Sequence, residues 1–497
     1  MIIMDYDVIY IGSGNAAWQG GRFLRKAGLK ILIIEESLYG GTCANRGCNS
    51  KALLDAPYEI KALADNFEGA GKAGNFEGCG KSGNLEVSWP DLMKLKRERI
   101  AGMAPFLDGK FKEYDLDVAH GKGIIIDEHT VQVGDKKFTT EKIVICTGLR
   151  PVIPDIPGNE YLHDSTDFLD INELPKHAII IGAGFVGMEF ASILAEAGLE
   201  ADVIIRGDMA LKYFHQPYVQ NVIEILEKKN IRFHFNETVT EIIKDDDVKI
   251  DNPQEKVLNL ENALNVDEEL RDPDAKLDNK AYENAFTVKL ESGLDLTGDY
   301  IISAMGREAN VEGIGLENVG LKYTKRGIKV NEYLQTDVPN IYACGDVADS
   351  GIAKLVTVAI HQSKYLGKAL LEENPEKIVY PVVPAVAYTI PRIATVGVPA
   401  FVAEEMDEYE VHRIRYGRSY SLELYNDRTA EAKVIVDKDL QIVGAEIYAA
   451  DAENVVNMFT FIINQKISLE ELDDMIYAFP SSSSVCLYKL HNIHYTF

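Results

Sequence analysis

Two kinds of hydrophobic pattern alternate along most of the chain. Short apolar runs such as Asp7–Ile11 (DVIYI) and the later ILIIE are typical of buried parallel strands, and helical periodicity separates them. Residues 5 to 36 follow the order strand, glycine turn, helix from Ala17 to Ala27, strand. This order predicts an α/β fold that begins with a Rossmann-like βαβ unit.

The turn of this first unit has the spacing of a dinucleotide-binding loop. Gly12, Gly14 and Ala17 fit GxGxxG/A directly after the strand, and the second strand ends in Glu35. Such glycines let the backbone approach a pyrophosphate at a helix N-terminus, and an acid at the second strand end binds ribose hydroxyls. The sequence therefore predicts a first dinucleotide site here.

The same pattern returns at residues 178 to 206. Gly182, Gly184 and Gly187 follow an apolar strand, but the second strand ends in Arg206, with Lys212 close behind. An arginine in place of the acid accommodates a 2′-phosphate, which favours NADPH. The alternative is a surface arginine on an NAD-dependent enzyme.

Between the two units lies GGTCANRGCNSK (40–51), in which four residues separate Cys43 from Cys48. A helical pattern follows at once, and the positive end of a helix lowers the pKa of a thiol there. One hypothesis is a redox-active disulfide beside a flavin; the others are two structural cysteines or half of a metal site. Two dinucleotide sites with a dithiol between them imply a flavin nucleotide and a nicotinamide nucleotide.

Outside these motifs, the hydrophobic pattern predicts further helices and strands with less definite ends. Residues 91–119 are expected to be helical, short strands then lead to a proline-rich linker near residue 158, and a helix is expected over 354–372. The last 120 residues or so alternate strands (AVAYTI, IATVGV, EAKVIV, IVGAEIYA) with helices, which predicts a separate α+β domain.

Two segments look like insertions. The acidic stretch 245–284 is expected to be a solvated hairpin or a partly disordered excursion. The tandem repeat at 66–83 contains GCGKS, but Asn75 stands where a phosphate loop needs a glycine, so a flexible insertion is favoured. Cys79 within it is either an inert loop cysteine or an accessory thiol.

Bulk properties exclude several classes of function. The chain has 497 residues, enough for about three domains, and its net charge of −27 argues against nucleic acid or an anionic membrane as a partner. It contains no apolar run of the roughly 20 residues that a membrane span needs. The N-terminus shows no signal peptide, and six cysteines do not make a disulfide-stapled fold. We expect a cytoplasmic protein.

Three motifs together resemble the flavoprotein (pyridine nucleotide-) disulfide oxidoreductases, the family of glutathione reductase, dihydrolipoamide dehydrogenase and mercuric reductase. GGTCANRGC resembles the family's redox motif, IVICTGLRP its flavin-binding strand, and YACGDVAD its second flavin motif. The resemblance implies two Rossmann-like dinucleotide-binding domains, a C-terminal α+β dimerisation domain and a homodimer. The implied domains are FAD-binding 1–157, NAD(P)H-binding 158–298, central FAD-contacting 299–373 and dimerisation 374–497.

The resemblance also implies roles for residues. Cys48 is then the flavin-side sulfur, Cys43 the outer thiol that attacks substrate, Lys51 a cation near flavin N5 paired with Glu189, and Phe185 an aromatic gate over the ring. By this resemblance hydride passes from NADPH to FAD, and the reduced flavin then opens the disulfide through Cys48. Implied cofactor contacts, besides the glycines, Ala17 and Glu35 above, are Gly41, Thr42, Thr147, Gly148, Gly306, Gly345 and Asp346.

The sequence departs from the family at two places. The segment after the second cysteine, Asn49-Ser50-Lys51, is one residue shorter than usual. Near the C-terminus, Phe479 replaces the family's catalytic histidine and Ser484 its glutamate, and a lost acid–base group costs about 10²–10⁴-fold in rate. Only Cys486 stands where mercuric reductase has a terminal cysteine pair, and a buried structural cysteine is the favoured interpretation.

Three interpretations follow from this loss. Tyr477 protonates the leaving thiolate, the substrate releases a thiol of low pKa, or the substrate is not a disulfide. The sequence therefore predicts an FAD-dependent NADPH oxidoreductase acting on a small disulfide or a related thiol-reactive substrate. The alternatives are a flavoprotein reductase of metal ions, quinones or reactive oxidants, and a slow redox-sensing flavoprotein.

Overall fold

The computed structural model describes residues 4–68, 87–245, 272–275, 285–419 and 428–494. The glycine-rich repeat, with Cys79, lies outside these residues except for its first positions, and so does most of the acidic stretch 245–284. In the part of the chain that is described, no helix has the length and apolar character needed to cross a bilayer.

The first sheet has seven strands and holds the first glycine turn. Its parallel part forms because the apolar run at Tyr6–Ile11 is buried on both faces, with Val8 opposite Ile31 on one side and Lys142 on the other. A hairpin extends the sheet, and Ile341–Ala343 pairs in parallel with its longest strand. The strand order is Asp117–His120, Ile31–Glu35, Tyr6–Ile11, Lys136–Ile145, Thr130–Val133, Gly123–Asp127.

The second sheet is entirely parallel and holds the second glycine turn. Its order is Ile231–Phe235, Glu200–Ile205, His177–Ile181, Tyr300–Ser303, Leu162–His163. An antiparallel sheet of Val239–Asp245, Ala285–Leu290 and Asp295–Gly298 lies beside it in sequence.

One expected domain boundary does not match this sheet. Tyr300–Ser303 hydrogen-bonds between His177–Ile181 and Leu162–His163, so it is an interior strand of the second unit. We propose that this unit runs to residue 303 rather than 298. The other boundaries stay predictions.

The C-terminal part is an antiparallel sheet with helices, as expected for the dimerisation domain. Its strand order is Ala385–Ala387, Arg392–Gly397, Ile442–Ala449, Glu431–Asp437, Tyr409–Ile414. The first of these strands is shorter than the predicted AVAYTI because Tyr388 leaves the sheet and its backbone N–H donates to Glu189.

The described helices differ from expectation mainly at their ends. The region 91–119 is two helices and a strand rather than one helical stretch, with the break at Gly102. The α-helices are Asn15–Lys26, Gly41–Asn45, Cys48–Glu68, Trp89–Ala101, Met103–Glu113, Ser165–Phe168, Phe185–Glu196, Gln216–Glu227, Val356–Ala369, Ala400–Ala403, Ala452–Gln465, Leu469–Asp473 and Ser482–His494. Short 3₁₀ turns lie at Asn159–Tyr161, Leu316–Val319, Gly345–Val347 and Tyr416–Arg418.

At the Cys48–Glu68 helix, one hydrophobic cluster joins the units built on the first sheet, the second sheet and the C-terminal sheet. Leu54 and Tyr58 of this helix are fully buried against Phe190 of the second unit and belong to the same cluster as Ile393 and Tyr448 of the C-terminal sheet. The start of the helix, where Cys48 lies, is therefore held at the junction of the units.

Candidate functional site

The two cysteines meet at the junction of two helices. Cys43 lies in Gly41–Asn45 and is half-buried, whereas Cys48 begins the Cys48–Glu68 helix and is exposed. The turn before them needs glycine: Gly40 has φ +100°, and a Cβ there would lie 2.4 Å from Leu107 Cδ1. The pair predicted from the sequence is thus brought together by a turn that only small residues allow.

The two thiols differ in acidity. The Cys43 thiol donates a hydrogen bond to the Cys48 sulfur, and this bond is the largest influence that lowers the pKa of Cys48 to about 7, against an opposing effect of burial. The same bond, together with burial, raises the pKa of Cys43. In the reduced pair the negative charge therefore belongs on Cys48, and its place at a helix N-terminus favours that charge.

Lys51 reaches its predicted partner although the segment before it is short. Its Nζ lies 3.5 Å from Glu189 Oε2, and Glu189 Oε1 accepts from Tyr388 N at 3.0 Å. Burial raises the pKa of Glu189, an effect that the Lys51 charge opposes. The pair is a buried ion pair at the helix junction rather than one on the surface.

Two further partners of Lys51 were not predicted. Its Nζ donates to Asp55 Oδ2 at 2.9 Å and to the Tyr388 carbonyl at 3.0 Å, and it lies 4.8 Å from the centre of the Tyr388 ring. The Asp55 contact has a sequence signal, because residues four apart share one face of a helix. The Tyr388 contact has none, because it joins segments 337 residues apart.

The first glycine turn is shaped as predicted. Gly12 has φ +104°, and a Cβ there would lie 2.5 Å from the Cys146 carbonyl oxygen. Glu35 is held in place, since its Oε2 accepts from the backbone N–H of Ser13 at 3.0 Å and from its hydroxyl at 2.6 Å. Gly14 precedes the helix, buried Ala17 lies in its first turn, and a Cβ on Gly41 would meet Gly14 at 3.3 Å. Ser13 was missed, because its place in the motif tolerates any residue.

Polar groups around this turn fit a flavin dinucleotide. Thr147 Oγ1 is buried and has no hydrogen-bond partner among the described residues, as expected of an atom that a ligand would satisfy. Burial raises the pKa of Asp346, beside Gly345, whose N–H donates to Gln362 Oε1 at 2.8 Å. Gly148 follows Thr147 with φ +70°, and exposed Thr42 lies in the Gly41–Asn45 helix.

Arg307 is a further cation that sequence reasoning missed. It follows Gly306, is largely buried, and donates to the Leu149 carbonyl at 2.8 Å. Burial lowers its pKa, while the charges of Asp346 and Cys48 act in the opposite direction. The charge of Asp164 acts on it more strongly than either of these, so several acidic groups surround this cation.

The second glycine turn repeats the first. Gly182 has φ +110°, Gly184 precedes the helix Phe185–Glu196, and a Cβ on Gly187 would overlap the Gly182 carbonyl. Phe185 is partly exposed at the start of this helix and packs edge-on against the Phe214 ring at 5.4 Å. The loop after the second strand carries exposed Arg206, and Lys212, whose Nζ lies 4.8 Å from the exposed Tyr213 ring.

Part of the acidic insertion contacts the redox motif. Arg46, between the two cysteines, forms an ion pair with Asp272 at 3.2 Å and another with Asp274. Asp272 is buried, and its N–H donates to Asp170 Oδ2 at 3.2 Å. Within the described residues 272–275 of the insertion, Asp272 is therefore docked rather than solvated as expected, whereas Pro273 and Asp274 are exposed.

The C-terminal segment lacks a strong acid–base group. Phe479 is 60% exposed and packs edge-on against Tyr488. The Tyr477 hydroxyl donates to the Leu472 carbonyl at 2.6 Å, and burial raises its pKa. Ser484 is buried and its Oγ lies 3.0 Å from that of Ser481. Cys486 is fully buried in the C-terminal core, which raises its pKa to about 12 and makes it unreactive.

The metal hypothesis for the cysteines gains no support from the geometry. Over the described ranges, no group of three or more His, Cys, Asp or Glu side chains is arranged to hold a metal ion.

Comparison with known proteins shows what the chain is similar to. Residues 6–363 match the pyridine nucleotide-disulphide oxidoreductase model, and residues 383–487 match the dimerisation domain of that family. Glutathione reductase of Nostoc sp. is 27% identical over 96% of this chain and 98% of its own, and dihydrolipoyl dehydrogenase of Bacillus subtilis is 27% identical over 98% and 97%. A mercuric reductase of Staphylococcus aureus is 28% identical over 95% of this chain and 79% of its own.

Among solved structures, the HOCl-induced flavoprotein disulfide reductase RclA from Escherichia coli has a TM-score of 0.77 at 23% identity, over 97% of this chain and 98% of its own. Both the sequence match and the shared fold cover nearly the whole chain. These findings agree with the two glycine turns, the adjacent cysteines and the antiparallel C-terminal sheet. The chain belongs to the pyridine nucleotide-disulphide oxidoreductase family, whose members are FAD-dependent oxidoreductases that use pyridine nucleotides.

Proposed function

We propose that this protein oxidises NADPH and passes the electrons through FAD and the Cys43–Cys48 pair to a small disulfide or a related thiol-reactive substrate. The observation that carries the proposal is the placement of Cys43 and Cys48 together at the start of the Cys48–Glu68 helix, where Cys48 is exposed. An inert structural pair would have no reason to be exposed and to hold a thiol of pKa about 7.

FAD, when bound, would relay two electrons between the nicotinamide and the disulfide. Thr147, Asp346 and Arg307 would hold it along its length, and Glu35 would bind its adenosine ribose through hydroxyls. Lys51 would place positive charge near the flavin ring, where negative charge grows on reduction. Cys48 would face the ring as a thiolate, which leaves Cys43 as the outer thiol.

Cys43 would attack the substrate, and its proton has an acceptor within the pair. Because Cys43 already donates its hydrogen bond to Cys48, the Cys48 thiolate can take that proton as the Cys43 sulfur bonds to the substrate. The remaining need is protonation of the leaving thiolate. Phe479 carries no proton, and the Tyr477 hydroxyl is bonded to a carbonyl with a raised pKa. We therefore expect a substrate that releases a thiol of low pKa.

The preference for NADPH rests on the second unit. Arg206 stands directly after the strand that ends at Ile205, at the position where an NAD site carries an acid, and it is exposed. Lys212 adds a second cation a few residues on. A 2′-phosphate would therefore meet two cations in the loop after that strand, in which Asp208 is an acid two residues beyond Arg206.

The protein is proposed to act as a homodimer. Several apolar side chains are exposed on the C-terminal domain, notably Ile476 at 99%, with Phe461 at 69% and Phe479 at 60%. A matching subunit would cover such a surface. Light scattering on the purified protein would test this, because a monomer at micromolar concentration contradicts it.

A second candidate function is reduction of an acceptor that is not a disulfide, such as a quinone, a metal ion or a reactive oxidant. The exposed Phe479 in the position of an acid–base group favours it, since these acceptors need no protonated leaving thiol. A slow redox sensor is the third possibility, and it differs from both by lacking turnover with any acceptor.

A panel of acceptors assayed with NADPH and NADH tests the proposal. The wild-type protein and Cys43→Ser are compared with a low-pKa aromatic disulfide, glutathione disulfide, a quinone and Cu(II). We expect NADPH-dependent turnover of the aromatic disulfide by the wild type and its loss in Cys43→Ser, with quinone reduction largely kept. Equal loss of both activities would contradict the role given to Cys43, and turnover of the quinone alone would favour the second candidate.

A further inference from the structure

Two carboxylates lie behind Lys51 on one face of the Cys48–Glu68 helix. Spacings of four residues place Lys51, Asp55 and Glu59 on this face, and Lys51 Nζ is closer to Asp55 Oδ2, at 2.9 Å, than to Glu189 Oε2, at 3.5 Å. The proposed function uses Lys51 and Glu189 but gives Asp55 and Glu59 no role. Asp55 nevertheless contacts the Lys51 charge directly, and Glu59 pairs with Arg392.

Of the two carboxylate oxygens of Asp55, Oδ2 accepts from Lys51, whereas Oδ1 has no donor among the described residues. The residue is 2% exposed, and its Oδ1 is buried. The Glu59 carboxyl lies within hydrogen-bond reach of Asp55. Ionised carboxylates only accept, so the contact becomes a hydrogen bond when one proton is held between the two groups.

The charges around the pair give an independent reason for that proton. Arg392 forms ion pairs with Glu59 and, at 2.6 Å, with Glu453. The two cations Lys51 and Arg392 thus lie among four carboxylates in a largely buried network. These carboxylates are Asp55, Glu59, Glu189 and Glu453. One bound proton removes half of the excess negative charge.

The groups that face the pair come from every element packed on it. They are Lys51 on the same helix, Glu189 on the helix Phe185–Glu196, Tyr388 and Arg392 on the segment 388–397, and Glu453 on the helix Ala452–Gln465; the charge of Glu189 also acts on Cys48. Burial and the Asp55 charge raise the pKa of Glu59 to about 7, although Arg392 opposes them. The proton therefore exchanges near neutral pH.

Among these three side chains, Glu59 is the most exposed to solvent. Glu59 is 22% exposed, whereas the Asp55 side chain is 3% exposed and that of Lys51 is 10% exposed. Glu59 connects the network to solvent, and Asp55 connects Glu59 to Lys51. The row is a short path by which a proton from water can reach the neighbourhood of Lys51 without passing the dithiol.

We propose that Asp55 and Glu59 act as a charge-compensating proton store, which takes up a proton from solvent when the Cys43–Cys48 disulfide is reduced. The inference rests on the proposed function. Hydride from the nicotinamide supplies two electrons and one proton; the sulfur–sulfur bond breaks, Cys43 becomes a thiol and Cys48 a thiolate. That reaction needs no solvent proton. The new negative charge of Cys48 raises the proton affinity of the Asp55–Glu59 pair. The pair then binds one proton from water through Glu59, in addition to the proton that the hydride brought to Cys43.

Proton uptake on reduction tests the proposal. The FAD-loaded protein is reduced anaerobically with one equivalent of NADPH in weakly buffered solution containing a pH-indicator dye, at several values between about pH 6 and 9. Cys48 itself binds some protons in this range, so the readout is the difference between the wild type and Glu59→Gln. We expect the wild type to take up an extra fraction of a proton, greatest near neutral pH, which Glu59→Gln lacks.

A matched control and a direct probe complete the test. Glu453→Gln removes the other carboxylate on Arg392, with a similar exposure of 24%, but does not contact Asp55, so it should keep the extra uptake. An infrared carboxylic-acid band that grows when the protein is reduced should be lost in Glu59→Gln but not in Glu453→Gln. If Glu59→Gln does not load FAD, Asp55→Asn replaces it under the same criteria.

Identical uptake curves for the wild type and Glu59→Gln would overturn the inference. This failure is distinct from failure of the proposed function. Absence of a thiolate–flavin absorption band in the reduced wild type would reject the electron route itself, whereas a normal band without extra uptake would reject only the proton store.

Discussion

Replacing Cys43 by alanine should remove the main cause of the low pKa of Cys48. The Cys43 thiol donates the hydrogen bond that lowers this pKa from an ordinary 9.0 to about 7. Without the donor, the helix N-terminus and the local backbone still favour the thiolate, while burial and the charges of Glu189 and Asp346 oppose it. We expect the pKa of Cys48 to return to about 9 or above.

The size of the effect follows from this shift. A hydrogen bond that favours the charged form lowers the pKa of an acid, so its loss raises the pKa and leaves the thiolate only at higher pH. With a pKa near 9 instead of about 7, the thiolate fraction at pH 7 falls from about one half to about one hundredth. Few single contacts in the site have so large a predicted consequence.

The assay uses the oxidised, FAD-loaded variant, in which Cys48 cannot form its disulfide. Its thiolate beside the flavin gives a long-wavelength charge-transfer band, and the band's rise with pH measures the pKa of Cys48. Cys43→Ser is the matched control, because the hydroxyl keeps a donor and should hold the pKa below that of Cys43→Ala. A midpoint near pH 7 in Cys43→Ala would show that the Cys43 thiol does not cause the low pKa of Cys48. The low pKa would then come from the helix N-terminus and nearby cations.

Three further predictions test other parts of the site. Arg206→Ala should raise the KM for NADPH roughly tenfold to a hundredfold, with little change for NADH, because a charge-assisted phosphate contact is lost; steady-state kinetics with both nucleotides checks this, and equal effects would contradict it. Lys51→Met leaves two buried carboxylates without their cation and should lower the free energy of unfolding by about 3–5 kcal/mol in a denaturant titration, whereas the same change at exposed Lys112 should do little. Cys486→Ser buries a hydroxyl in an apolar core and should cost about 1–3 kcal/mol of stability with turnover unchanged; lost turnover would show that Cys486 takes part in electron transfer.

Local patterns predicted much of the fold. The glycine turns at Gly12 and Gly182 were recognisable because each needs a positive φ and lies between an apolar strand and a helix. The antiparallel C-terminal sheet was also expected from its alternating strands. The sequence placed the strand Tyr300–Ser303 in the central domain. Its pairing with His177–Ile181, more than a hundred residues earlier, is a long-range contact that local patterns do not show, and it supports the boundary proposed at residue 303.

The candidate site, like the fold, could be predicted only where local patterns determine it. The cysteines and the Lys51–Glu189 pair came from motifs, and the Lys51–Asp55 contact was available from helical spacing. The contacts of Tyr388 with Lys51 and of Asp272 with Arg46 could not be predicted from the sequence. Each of these contacts joins distant segments whose approach depends on how whole domains pack. Such long-range contacts decide how the charges near the dithiol are balanced, which is why the proton store emerges only from the structure.

The most direct test of the electron route is an anaerobic titration of the FAD-loaded protein with NADPH, followed by its visible spectrum, for the wild type and for Cys48→Ser. We expect the wild type to take up two electrons per subunit while a long-wavelength band from the Cys48 thiolate appears, and Cys48→Ser to show flavin bleaching without this band. A wild-type protein that binds no FAD, or that bleaches directly without the band, would contradict this expectation.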